Sequence, residues 1–288
     1  MDLVSLLMII GSACIHVVAH VGMKRALDRT AFMWWTLFWA SVLFVPVVIF
    51  GGQKISATGW RCILFSSIFE GTYFVSIARA YRGGDLSVVY PLARGSAPVF
   101  LLIWSTAVLR ENLTYGGIAG IVLIAAGLYV VNLPVLGAWR EPLRALRQPG
   151  PKWALFAGLS TSLYTAVDKV GVQQVSPLLY TYLAVSVALV WVTFWTLTTV
   201  GWKGMAGEFR LSNWVTVVSG FTTLAAYSIV LFAMQRGTPA GYAGSVREIS
   251  VILGAAIGVF VFKESAGPLR LMGAFLVAAG VALIGILG

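Results

Sequence analysis

The chain has 288 residues, of which 59% are hydrophobic and 10% charged, with a mean hydropathy of +0.90 and a formal net charge of +10. A soluble domain carries about 25% charged residues because its surface must meet water, so this composition excludes an ordinary soluble fold and assigns the surplus apolar surface to lipid. The basic balance does not build a nucleic-acid surface: Lys and Arg sit in short connections between apolar runs, as in proteins oriented across membranes, and no basic stretch is interleaved with aromatics.

Apolar runs follow one another at 3–22, 31–50, 60–80, 87–109, 115–133, 153–172, 177–199, 213–234, 240–262 and 268–287. A helix needs about 20 residues to cross the hydrocarbon, and these runs lack the alternation of a barrel strand. The expected fold class is therefore an all-α integral membrane protein of ten transmembrane helices. The first run has no small-residue cleavage site after a short core and reads as a retained span. Trp60, Trp139, Trp153, Trp202 and Trp214 stand near run boundaries, where amphipathic rings favour the interface. Cys14 and Cys62 show neither metal nor disulfide spacing.

Polar residues within the runs carry the functional signal. In the first run Ser12, His16, His20 and Lys24 recur every fourth residue, forming one stripe that faces the bundle interior. The stripe either lines a solute path, with a histidine titrating near neutral pH, or makes interhelical hydrogen bonds. Two His at this spacing lack a third ligand, so no metal site is expected. Glu70 stands near the middle of the third run, where an ionised group costs about 2.5–3.5 kcal/mol on insertion scales. It is a candidate for binding a proton or a substrate amine, or else a structural partner of a buried Arg. In the fourth run Arg94 lies between Pro91 and Pro98, each of which deprives a preceding carbonyl of its helical donor. Polar backbone at depth must be buried in protein or line a cavity. The sixth run offers Thr161, Thr165 and Lys169 in a matching stripe, with Asp168 adjacent. Arg247 in the ninth run is flanked by Gly241 and Gly244, which loosen the helix there. Arg94 and Arg247 suit a bidentate clamp on a carboxylate or phosphonate; pairing with Glu70, Asp168 or Glu248 is the structural alternative. Tyr73, Tyr90, Tyr164, Trp104, Trp191 and Tyr227 are candidates for stacking on a substrate or for plain packing.

An internal repeat organises these features. A shift of 153 places Arg94 on Arg247, Glu111 on Glu264, Gly120 on Gly273, and Ala125-Ala126-Gly127 on Ala278-Ala279-Gly280. A shift of 145 places Lys24 on Lys169. The expected organisation is a first five-helix repeat over 1–135, a linker over 136–152 with Arg140, Arg144 and Arg147, and a second five-helix repeat over 153–288. An odd number of spans per repeat inserts the second copy upside down, a common plan among secondary transporters.

The segment from Ala80 to Pro98, AYRGGDLSVVYPLARGSAP, followed by Arg110-Glu-Asn-Leu113 and Gly120 to Gly127, resembles the EamA repeat of the drug/metabolite transporter superfamily. Ser245-Val-Arg-Glu-Ile-Ser-Val251, followed by Phe262-Lys-Glu-Ser265 and Gly273 to Gly280, is similar to its second copy. The resemblance implies ten helices in two inverted repeats around a central cavity that opens alternately to either side, and export of amino acids or other metabolites. The family's Glu near the end of the fourth and ninth helices falls on Glu111 and Glu264, which read as structural caps rather than ligands; Pro91 and Pro98 also read as structural.

The function expected is secondary transport of a small polar metabolite across an inner membrane, by a monomer without cofactor. The solute is an amino acid or a related zwitterion or anion, and proton coupling is left open. The expected site comprises Glu70, Arg94, Arg247, His20, Lys24, Lys169 and Tyr90, a net positive set. A passive channel or an intramembrane enzyme is the rival class; HExxH and GxSxG signatures are absent. Orientation is contested within the sequence. Cytoplasmic termini, as the resemblance implies, would leave five basic residues of this chain on the inner loops and thirteen outside, against the positive-inside rule.

Overall fold

A computed structural model describes residues 1–23, 26–83, 86–131, 133, 135–260 and 267–288. Every regular element among them is helical, as it must be where lipid offers the backbone no hydrogen-bond partner. α1 (Leu3–Met23) leads to α2 (Arg29–Leu43), whose cap is Asp28: Oδ1 accepts from Thr30 N at 2.8 Å and from Ala31 N at 3.0 Å. The second apolar run then breaks before Pro46, which lacks an N–H and opens the short α3 (Pro46–Gly51). α4 (Ala57–Gly83) and α5 (Leu86–Ile103) follow, and α5 widens into a π-helical turn at Trp104–Val108. α6 (Tyr115–Val130) is capped by Thr114, whose hydroxyl accepts from Gly117 N at 2.9 Å.

The linker is folded rather than extended. α7 (Glu141–Arg144) sits between 3-10 turns at Leu136–Arg140 and Ala145–Arg147. The second half consists of α8 (Pro149–Gly171), α9 (Pro177–Thr199), α10 (Gly201–Gln235), α11 (Ala240–Arg247), α12 (Ile249–Phe260) and α13 (Pro268–Leu287). Two of these differ from expectation. The eighth run was bounded at 213–234, but α10 begins at Gly201 and is bent at Ser212 (φ −119°, ψ 17°), so a further segment precedes the apolar run. The ninth run breaks at Glu248, between α11 and α12, rather than at its glycines. Those glycines instead admit close neighbours: a Cβ on Gly244 would lie 2.3 Å from the Leu101 side chain. Four helical stretches among the described residues are long and apolar enough to cross a membrane by length and composition: Arg29–Gly51, Pro177–Thr199, Gly201–Gln235 and Pro268–Leu287. Shorter apolar stretches lie at Leu3–Ala19, Leu92–Val108 and Tyr115–Val130.

The two halves pack by one rule applied twice. α4 lies along α8 as α10 lies along α1, and α2 meets α10 as α9 meets α4. α5 contacts α8 as α11 and α12 contact α1, while α6 meets α13 and α2 meets α9, each its own counterpart. Glycine makes the α6–α13 crossing: a Cβ on Gly120 would stand 2.7 Å from Gly280 O, and one on Gly127 would stand 2.7 Å from Gly273 O. The order of these contacts makes the two helices antiparallel. α2 and α9 are antiparallel likewise, since Trp34 Nε1 donates to Thr193 Oγ1 at 2.7 Å and Ser186 Oγ donates to Ser41 Oγ at 3.2 Å.

Candidate functional site

A cavity of about 140 Å³ lies between the halves. The repeat is written into its wall. Four pairs related by the 153-residue shift line it together: Glu70 with Thr223, Tyr73 with Ala226, Phe74 with Tyr227, and Arg94 with Arg247. α1 adds Ser12 and His16, two members of the polar stripe, and α2 adds Thr36. Thus Glu70, Arg94 and Arg247, separated by up to 177 positions in sequence, are brought to one space.

Their charges are not equivalent. Arg94 Nη1 donates to both carboxylate oxygens of Glu248, at 3.4 Å each, across the interface of the halves. The side chain of Glu248 is only 3% exposed, so its charge is answered by Arg94 rather than by water. Arg247 lies beside Tyr164 and stacks over the Tyr227 ring, 5.3 Å from its centroid. Such a cation–π contact is worth about 0.5–2 kcal/mol, depending on desolvation. Among the described residues no hydrogen bond or ion pair satisfies the Glu70 carboxylate, whose charged neighbours are Arg247 and Asp168. Asp168 is fully buried behind the wall, where it accepts from Tyr180 at 2.9 Å and from Tyr227. The cavity wall therefore carries one guanidinium, Arg247, and one carboxyl group, Glu70, beside an internally paired Arg94–Glu248.

The net positive site expected from sequence is not what the described residues form. Lys169 is absent from the cavity wall. Its ammonium donates to Met234 O at 2.9 Å and Thr238 O at 2.8 Å, closing the C-terminal end of α10, with Glu111 Oε1 at 3.9 Å. Carbonyls at a helix end attract a cation for the reason that they have no helical donors. Lys24 and Glu264 lie outside the described residues, as do the side chains of His20, Tyr90 and Pro91. Pro98 is buried within α5, which continues through it to Ile103.

The end of the bundle carrying the termini is stitched across the halves. Arg110 adopts a left-handed conformation (φ 53°), rare for a residue with a Cβ. It turns the chain so that the two oxygens of Glu111 accept from Ala240 N at 2.8 and 2.9 Å, capping α11. Ser105, on the π turn, donates to Glu111 and accepts from Gly241 N at 2.7 Å. Thr114 N donates to Tyr242 Oη at 2.8 Å, and Thr114 Oγ1 donates to Leu287 O. Away from this closed end the cavity reaches Met23, Phe32 and Met33, where α1 ends and α2 begins, on the side of the linker.

Sequence reasoning placed Glu70 and the two arginines and named Glu248 among three possible partners of an arginine without singling it out; it missed Ser105. Glu208 was also overlooked: it is 1% exposed and accepts from Asp28 N at 2.9 Å. Its signal was present in outline, an acidic residue four positions before the Ser212 bend in a stretch otherwise read as connection.

The profile of the EamA-like transporter family matches residues 3–133 and again residues 148–286. Over 103 residues the chain is 32% identical to an "Uncharacterized transporter" of Archaeoglobus fulgidus. That match takes in 33% of this chain and 34% of the relative, so the chain spans about a third of the relative it matches. A crystal structure of a protein 15% identical in sequence superposes with a TM-score of 0.73, covering 98% of this chain and 96% of the other. At that identity the likeness speaks for the fold.

Proposed function

The chain belongs to the EamA-like transporter family, and from that premise we propose that it carries a small zwitterionic metabolite, an amino acid in chemical type, across the cell's inner membrane by alternating access. Family membership makes it a membrane transporter of the drug/metabolite type and points away from an enzyme. The observation that supports the solute class is the presence of the Arg247 guanidinium and the Glu70 carboxyl group on one cavity wall. A guanidinium holds a carboxylate, and a carboxylate in a water-poor site holds an ammonium. Because Arg94 is answered by Glu248, a solute with no net charge leaves the balance of the site unchanged, whereas a dianion would upset it. The volume suits a small metabolite, being well below the roughly 300–1,000 Å³ of drug-sized pockets.

Ten spans in two inverted repeats are part of the same reading. The antiparallel courses of α6 with α13 and of α2 with α9 support it, since inversion makes equivalent helices run oppositely. The stitched end and the cavity reaching toward the linker correspond to one access state. Its exchange for the mirror state, by rocking one repeat against the other, would expose the solute to the second side. The direction is export, as the family resemblance implies, by a monomer, with protons as the candidate coupling ion.

Counterflow in proteoliposomes tests the site. Panels of labelled amino acids, phosphonates and sugar phosphates should give saturable exchange for a neutral amino acid. Glu70→Gln and Arg247→Gln should each reduce exchange at least about tenfold, the worth of one lost charge-assisted contact of 1.5 kcal/mol or more, while leaving thermal unfolding of the protein in place. Full exchange in both variants would remove the two residues from solute binding, and non-saturating flux would reassign the protein to channels.

A further inference from the structure

Outside the cavity, the linker gathers a cluster of positive charge on the surface. Arg140, Arg144 and Arg147 recur at helical spacing, are all exposed, and line one open hollow together with Trp139 and Leu143. No acidic side chain among the described residues pairs with these three arginines, and the neighbouring Glu141 does not line the hollow. Arg140 lies 4.6 Å from the centroid of the Trp139 ring, so the cation is held against an aromatic face rather than left free. The hollow, about 660 Å³, is broad and shallow.

The scaffold beneath it is fixed. Ala138 and Pro142 are buried, α7 packs on α5, and Tyr129 Oη donates to Trp139 O at 2.7 Å. The side chains that remain outward are of two kinds. Trp139 (47% exposed) and Leu143 (50% exposed) are apolar, and the three arginines stand beside them. A soluble anion such as phosphate uses the cations but leaves the Trp and Leu in water. A ligand that satisfies both has an anionic head joined to an apolar chain, which is the chemistry of interfacial amphipathic segments on charged bilayers. The linker joins α6 to α8, so its place is at the bilayer surface.

We propose that the linker hollow formed by Arg140, Arg144 and Arg147 with Trp139 and Leu143 is a binding site for an anionic phospholipid, its phosphodiester held by the guanidinium groups and its upper acyl region covered by the Trp and Leu. The site is separate from the solute cavity: the two share no lining residue. Bound lipid would anchor the segment that joins the two repeats to the leaflet.

The test is native mass spectrometry of the full-length protein in detergent, titrated with phosphatidylglycerol or phosphatidylcholine. The wild-type protein should retain phosphatidylglycerol over phosphatidylcholine by about tenfold or more, as three clustered arginines near anionic headgroups require. The R140Q/R144Q/R147Q variant should lose that preference while its thermal unfolding and counterflow stay at wild-type values. A measurement without substitution covers a variant that fails to fold. Raising the salt of the wild-type sample to about 0.5 M, where charges are screened beyond about 5 Å, should collapse the preference. Equal retention of the two lipids by the wild-type protein, a preference unmoved by both the substitutions and the salt, or displacement of phosphatidylglycerol by inorganic phosphate would each overturn the proposal; the last would hand the hollow to a soluble anion.

Discussion

Arg94 and Glu248 show why the two arginines of the repeat are not interchangeable. They occupy equivalent positions, yet among the described residues only Arg94 forms an ion pair, because Glu248 sits where α11 gives way to α12 and its position in the first half, 95, is a glycine. Removing one partner of a buried pair strands the other charge, at a cost of about 3–5 kcal/mol when both are fully enclosed. Arg94 is 19% exposed toward the cavity, which lowers that cost. Glu248→Gln should therefore destabilise the protein by about 2–3 kcal/mol, and adding Arg94→Gln should recover part of the loss. Chemical denaturation of the three variants in detergent checks this, and additive losses would mean the pair is not coupled. At this scale the sequence revealed which groups carry charge inside apolar runs, because a charge there is conspicuous. It did not reveal that Lys169 caps α10 or which of Glu70, Asp168 and Glu248 answers Arg94. Both depend on contacts between segments 65 and 154 positions apart, for which no local spacing stands as a sign.

Helices were legible where chemistry punctuates them. Ten apolar runs marked the helical segments, yet a hydropathy window cannot register that Pro46 interrupts one run or that Ser212 bends the helix just ahead of another, since a single residue barely moves the apolar average. The repeated glycines Gly120, Gly127, Gly273 and Gly280 were legible as markers of duplication, and the structure shows what they do. They let α6 and α13 touch backbone to backbone, as small residues do where helices cross in membranes. A Leu at position 120 would drive its Cβ to 2.7 Å from Gly280 O, a backbone atom that cannot rotate away. Gly120→Leu should cost about 1–3 kcal/mol or more through overpacking. Gly11→Ala, on the open face of α1 with nothing within 4 Å of the new Cβ, should stabilise the protein slightly, by up to about 1 kcal/mol. Thermal unfolding of both variants decides the matter, and a Gly120→Leu protein as stable as the wild type would show that the crossing yields.

The molecule as a whole has a charge asymmetry that its fold makes sharper. The ends of the bundle alternate along the chain, so that the termini, the α3–α4 turn and the α8–α9 turn share one end while the linker shares the other with the α9–α10 turn. A charge count is ambiguous if some cations belong to the cavity, and only Arg94 and Arg247 line it among the described residues. The described cations at the linker end are Arg29, Arg79, Arg82, Arg140, Arg144, Arg147, Lys152, Lys203, Arg210 and Arg270; those at the terminal end are Lys54, Arg61, Arg110, Lys169 and Arg236. Arg79 is held between Trp153 and Trp195, at 4.5 and 4.7 Å from their centroids, as an interfacial anchor. Ten against five is a strong bias, and cytoplasmic loops carry the excess of Lys and Arg. The linker should therefore face the cytoplasm and the termini the opposite side, contrary to the orientation the family resemblance implies. A protein freed of its natural thiols by Cys14→Ser and Cys62→Ala, carrying Gly137→Cys or Asp2→Cys, makes the comparison in intact cells. A membrane-impermeant maleimide should label position 2 and spare position 137 until the cells are opened. Labelling of 137 alone would restore the family orientation, and labelling of both from outside would break the odd span count on which the inverted arrangement of the two halves depends.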